Sequence, residues 1–242
     1  MTLPDAGAFS APAEVHHFAG FLFDMDGTLC DSTQAIIKHW HKIGAELGVD
    51  PNTIMATSHG RRSIDTLRLY DPSKANWKYI SEIEGQIPQK FGQDAKEIPG
   101  ARHILSSLDR IGAPWAIVTS GTQALVDGWL DVLQLARPRH LVVAEDVETG
   151  KPDPACYRLG RERLGLAAQS SVLVVEDSPA GIIAGKAAGC KVLGLTTTHS
   201  VEQVKEARPD WIVENLQSVT VRRLDDKATD VEVVINNALL DE

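Results

Sequence analysis

The chain has 242 residues, 43% of them apolar and 24% charged, which suits one large globular domain or a core with a smaller insert. A net charge of -9 argues against nucleic acid or an anionic membrane as the main partner, yet leaves room for a small anionic substrate in a locally cationic cleft. Three scattered cysteines, Cys30, Cys156 and Cys190, fit neither a disulfide framework nor metal-ligand spacing.

In chain order, residues 1–17 hold no Lys or Arg and no long apolar run, so they read as a flexible arm without a targeting signal. No segment has the length and apolarity of a membrane span. Together with the cysteine usage, these features point to a soluble cytoplasmic protein. "FAGFLF" is then a short apolar run ending at Asp24. Similar β-rich runs follow in "PWAIVT", "RHLVVA", "SVLVVE", "KVLGL" and "DWIV". Each is short and bounded by polar or turn residues, as strands buried on both faces should be. Helical stretches lie between them over 101–111, 123–135, 153–164 and 179–188. This alternation predicts an α/β fold with a doubly wound parallel sheet.

One gap breaks the alternation. Residues 33–98 are too many for a single crossover helix. "TQAIIKHWHKIGAEL" puts Ile36, Trp40, Ile43 and Leu47 on one helical face, and "SKANWKYISEIEGQIPQKF" reads as a second helix. A small helical cap domain over 33–98 is expected, inserted after the first strand of a core made of 18–32 and 99–242. His39 and His41, flanking Trp40, should be solvated. Trp40 and Trp77 belong to the cap's own core. "VTVRRLDDKATDVEVVI" reads as a C-terminal hairpin.

Ligands of open α/β sheets gather at the carboxyl ends of the strands. The first strand delivers Asp24 and Asp26; the second delivers Thr119, Ser120 and Gly121. Lys151 follows the third, in "GKPDP", and Glu176 and Asp177 follow the fourth. Carboxylates converging there would repel one another, and a divalent, oxygen-seeking cation such as Mg²⁺ would relieve that. A Thr-Ser-Gly turn opening toward a helix suits a phosphate oxygen.

The series D-x-D-G-T, T-S-G, K-P and E-D-S, each after a strand, resembles the haloacid dehalogenase-like superfamily, whose core is a Rossmannoid sheet. The position of the insert is similar to that of the helical cap in its phosphoglucomutase-like branch. "SHGRRSID", "EGQIPQKFG", "VTSGT" and "EDSPAGIIAGKAAGC" resemble the fungal glycerol-phosphate and 2-deoxyglucose-6-phosphate phosphatases. The resemblance implies a Mg²⁺-dependent phosphoric monoester hydrolase, acting as a monomer on a small phosphorylated metabolite. Asp24 would be the nucleophile and Asp26 the general acid and base. Lys151 and Thr119 would stabilise the phosphoryl oxygens. Asp24, Asp26 (through its carbonyl), Asp177 and Glu176 would surround the metal. Ser120, Gly121, His59, Gly60, Arg62 and Glu84 would contact substrate, with Arg62 matching the family arginine better than Arg61. An acid two residues after the nucleophile suits a poor alkoxide leaving group; dehalogenases and P-type ATPases of the superfamily lack it. Two alternatives remain at this point. A phosphosugar mutase would carry a histidine twelve residues after its nucleophile, where this chain has Ile36. An inactive binding module would normally have lost a motif residue.

Overall fold

The computed structural model describes residues 8–58, 60–223 and 230–240. Strand β1 (Glu14–Phe18) leads directly into β2 (Gly20–Phe23), whose "GFLF" is buried throughout. The chain leaves the sheet through β3 (Cys30–Asp31) and passes through helices α1 (Thr33–Leu47), α2 (Pro51–Ser58), α3 (Ser63–Tyr70) and α4 (Trp77–Phe91). It returns through β4 (Lys96–Glu97), which pairs antiparallel with β3, Cys30 opposite Glu97.

Strand and helix then alternate: α5 (Ala101–Arg110), β5 (Trp115–Val118), α6 (Gln123–Leu133), β6 (His140–Val142), α7 (Ala155–Arg163), β7 (Val172–Glu176), α8 (Pro179–Ala187), β8 (Lys191–Leu195), α9 (Val201–Glu206) and β9 (Trp211–Val213). Strands β10 (Val219–Arg222) and β11 (Val231–Ile235) close the chain.

Among the described residues the main sheet is wholly parallel, in the order β6-β5-β2-β7-β8-β9. Its first strand lies in the middle, so the winding reverses between β5 and β7, and the switch-point crevice opens at the end of β2. Alternate side chains feed two cores. Phe21, Phe23, Leu173 and Val175 pack on one face, and Leu22, Val174 and Val118 on the other, the latter against Tyr157 and Ile182. The helical segment α1–α4 has an apolar cluster of its own, with Trp40 and Ile43 against Ile54, Leu67 and Ile80, and Ile36 and Leu47 at its margin.

Two expectations are corrected here. The arm expected over residues 1–17 is structured at its end, because Glu14 to Phe18 form β1 and pair with β11 from Glu14–Ile235 to Phe18–Val231. Phe9 also bridges to Leu239. β11 buries Val231, Val233 and Ile235 and needs partners on both edges, and β10 supplies only one. His39 is the second correction. It is buried at 4% exposure, with its ring 5.4 Å from that of Trp40, whereas His41 is exposed. Burial, assisted by Lys42 and Lys90, pushes the His39 imidazole down to about 4, so it is neutral in the folded chain. The expected C-terminal hairpin forms between β10 and β11, with the middle of its loop outside the described residues.

Candidate active site

The site is built around one buried ammonium. Lys151 Nζ donates to Asp24 Oδ1 at 2.5 Å, to Glu176 Oε1 at 2.6 Å and to the Val118 carbonyl at 3.2 Å. Three strand ends are thereby tied to a single cation. Burial by itself would lower the lysine's proton affinity, but the Asp24 and Glu176 carboxylates outweigh it and hold the group charged. The Tyr157 hydroxyl donates to the same Glu176 oxygen at 2.8 Å. Glu176 Oε2 accepts the amides of Asp177 and Ser178, each at 2.9 Å, and the Ser178 hydroxyl at 3.1 Å.

Asp177 stands beside them. Its Oδ1 accepts from Thr28 at 3.1 Å, and its Oδ2 accepts from Thr198. Gly27 makes this approach possible: it sits at φ 91°, and a Cβ there would strike the Asp177 carboxylate. Asp24, Glu176 and Asp177 each place an oxygen within 4.8 Å of the others. Against the single charge of Lys151, that leaves an excess of negative charge in a dry place. Burial above all pushes Asp24 well up and Asp177 up to about 7, and each is raised further by its carboxylate neighbours. A carboxylate donor set with unbalanced charge fits a hard dication. Glu176, expected beside the metal, contributes one oxygen to this cluster. Both of its oxygens also accept hydrogen bonds, so it anchors Lys151 and the turn after β7 as well.

Asp26 lies two residues beyond Asp24 and outside that cluster, on the wall of the same cleft. Its Oδ1 accepts from Ser32 at 2.5 Å and from the Trp129 indole at 2.9 Å. Burial raises its proton affinity against those two bonds. Thr119 and Gly121 follow β5 and line the same cleft, where the Gly121 amide donates to Thr119 Oγ1 at 3.0 Å. The threonine hydroxyl proton remains available to a ligand.

A family model for haloacid dehalogenase-like hydrolases matches residues 21–195. The chain belongs to that family. Among curated relatives, glycerol-1-phosphate phosphohydrolase 1 of Saccharomyces cerevisiae is 38% identical over 226 residues, covering 90% of each chain. The yeast 2-deoxyglucose-6-phosphate phosphatase 1 is 34% identical, covering 90% of this chain and 95% of its own. A hydrolase from Pseudomonas syringae shares the fold, with a TM-score of 0.72 at 22% identity over 81% of this chain and 94% of that one.

Over the carboxylate cluster of this haloacid dehalogenase-like hydrolase lies the helical segment, closing a cleft of about 100 Å³. Trp40, Gly60 and Glu84 line it, and Ser120 donates to the Gly60 carbonyl at 2.9 Å. Trp40 is thus both a member of the segment's core and a wall of the cleft. His59 lies outside the described residues. Arg62 is a correction: it is buried at 2% exposure and turned away from the cleft, and Arg61 lines the cleft in its place. His199 was missed. It stands on the cleft wall, and its Nδ1 is 2.8 Å from Thr198 Oγ1. "TTTHS" follows the fifth strand, and reading one more strand end would have found both residues.

Glu84 ties α4 to the turn after β5. Its carboxyl accepts from Ser63 at 2.5 Å and from the Thr122 amide, the N-cap of α6, at 2.8 Å. Burial pushes this carboxyl up to about 7 from an ordinary 4.5, against those bonds and with some help from Asp26. Between these two values the unfolded chain is ionised while the folded one keeps its proton. The stabilisation is therefore complete below pH 4.5 and is lost as pH rises through 7. In Glu84→Gln, the side-chain oxygen still accepts from Thr122 and its amide can donate to Ser63. The variant should melt with the wild type at about pH 4 and several degrees above it at about pH 8, an advantage of up to about 3 kcal/mol. Thermal melts across that range check this, and a gap that does not vary with pH would refute it.

Proposed function

We propose that this hydrolase is a Mg²⁺-dependent phosphatase of small polyol or sugar monophosphates, such as glycerol 3-phosphate or 2-deoxyglucose 6-phosphate. The observation that carries the reading is the Asp24–Lys151–Glu176 junction, with Asp26 and Thr119 on the same cleft. The sequence similarity to phosphatases of such esters supports the substrate class.

Asp24 attacks phosphorus in line; the P–O bond to the alcohol breaks and an aspartyl-phosphate forms. Asp26 gives its proton to the departing alkoxide. It then takes one from the water that attacks the same phosphorus, which frees Asp24 and inorganic phosphate. The raised proton affinity of Asp26 favours the acid form that this first step needs. Lys151 opposes the burial that raises Asp24's proton affinity and sets positive charge beside the equatorial oxygens, to which Thr119 donates. Bound Mg²⁺, held by Asp24, Asp177 and the Asp26 carbonyl, would offset charge between nucleophile and phosphate. Residues 33–98 act as the cap; Gly60, Arg61 and Glu84, with Ser120 and Gly121 of the core, meet the alcohol. The buried cysteines, free of disulfides, support a reducing, cytoplasmic setting. At Ile36, where a mutase would hold a histidine, the cleft wall has no proton to exchange.

The test is phosphate release from a panel of phosphorylated polyols and sugars, with Mg²⁺ or with EDTA. Release that depends on Mg²⁺ is expected, and none from any monoester would overturn the reading. Asp26→Asn sharpens the test. It should lower kcat/KM on glycerol 3-phosphate by about 10²–10⁴-fold, and far less on p-nitrophenyl phosphate, whose phenolate leaves without a proton. Equal losses on both substrates would remove Asp26 from proton transfer.

A further inference from the structure

We propose that Arg62 is a positioning residue, which clasps the 144–150 segment of the core and so fixes Lys151, and that it does not touch substrate. The proposal rests on the phosphatase reading only for what Lys151 does in catalysis.

A guanidinium has five N–H donors. In Arg62 all of them are engaged. Nε donates to Asp65 at 2.8 Å, and Nη2 donates to Asp65 at 3.0 Å and to the Glu148 carbonyl at 2.9 Å. Nη1 donates to the carbonyls of Val147 at 2.6 Å and Ala144 at 3.4 Å. Asp65, three residues along on α3, holds the fork in plane from the cap side, and the Trp77 ring lies 5.8 Å from the guanidinium carbon. No donor is left for a phosphate or a hydroxyl.

The three carbonyls belong to the stretch between β6 and Lys151. Gly150 completes the contact. A Cβ at Gly150 would lie 2.7 Å from Arg62 Nε and 3.0 Å from its Cδ and Cγ, so only a glycine lets this main chain rest on the arginine. The next residue is the lysine that neutralises Asp24. Seating the cap therefore sets the ammonium, whichever alcohol the substrate carries. The two neighbouring arginines divide the work: Arg61 faces the cleft and Arg62 holds the core. Lysine cannot replace this fork, because its three donors radiate from one point.

Arg62→Lys, Gly150→Ala and the double variant decide the matter. Kinetics are read on glycerol 3-phosphate and p-nitrophenyl phosphate, and hydrogen exchange on peptides spanning 144–151. Arg62→Lys keeps a cation beside Asp65, and a melting curve confirms that it folds. It should lower kcat by about 10²-fold, by the same factor on both substrates, with KM changed far less. Exchange over 144–151 should quicken in both single variants. The double variant should lose less than the product of the single losses, since both substitutions break one contact. A loss confined to glycerol 3-phosphate, or one carried by KM, would make Arg62 a substrate ligand and overturn the proposal, as would unchanged exchange. If the wild type hydrolyses neither ester, the phosphatase reading fails on its own, and the exchange data still judge the clasp.

Discussion

Asp24→Asn should abolish phosphate release, with kcat reduced by about 10⁴-fold or more, while the protein stays folded. An amide oxygen is far too weak a nucleophile to displace an alkoxide from phosphorus. The substitution changes little else at the junction. Asparagine has the shape of aspartate, and its Oδ1 can still accept from Lys151, as Asp24 Oδ1 does at 2.5 Å. It also removes one of the three crowded carboxylates at a place where burial already penalises the charge. Without added metal the variant should therefore melt at or above the wild type. Lost activity with undiminished stability, read from phosphate release and thermal melts on one preparation, assigns the nucleophile. Activity that survives would place it elsewhere.

Much of this site was legible in the sequence because its parts follow strands. Short β-rich runs marked the sheet, and whatever came next had to lie along one edge, which placed Asp24, Thr119, Lys151 and Asp177 together. Harder to read were features set by what a side chain meets across the fold. "EVHHF" has no strong apolar alternation, and it became a strand because β11 needed a partner. The pattern around Trp40 puts His39 in solvent, yet the helix buries it beside the Trp40 ring. Two adjacent arginines carry the same charge and spacing signal, and only the path of residues 144–150 decides which one reaches the cleft. Glu176 adjoins Asp177 in the sequence and joins its carboxylate cluster in the fold. Not legible were its bonds to Lys151, Tyr157 and the following amides, which come from three separate segments.

Lys151→Met should cost both catalysis and stability, and the two losses can be separated. Among the described residues, the ion pairs of Asp24 and Glu176 are both made with this lysine. Removing one partner of a buried pair leaves its charge uncompensated, a penalty of about 3–5 kcal/mol. The penalty should be largest at alkaline pH and shrink toward acid, because carboxylates whose proton affinity is already raised escape it by protonation. Mg²⁺ should raise the melting temperature of this variant more than that of the wild type, since it enters a more negative cluster. Glu176→Gln added to Lys151→Met removes a carboxylate that has lost its cation and should recover much of the stability. It should not recover activity, because the positive charge facing the phosphoryl oxygens is still missing. Thermal melts against pH and Mg²⁺, with phosphate release on the same samples, test both halves. If Lys151→Met melts with the wild type at about pH 8, the junction does not hold the fold; if the double variant regains activity, Lys151 acts only through stability.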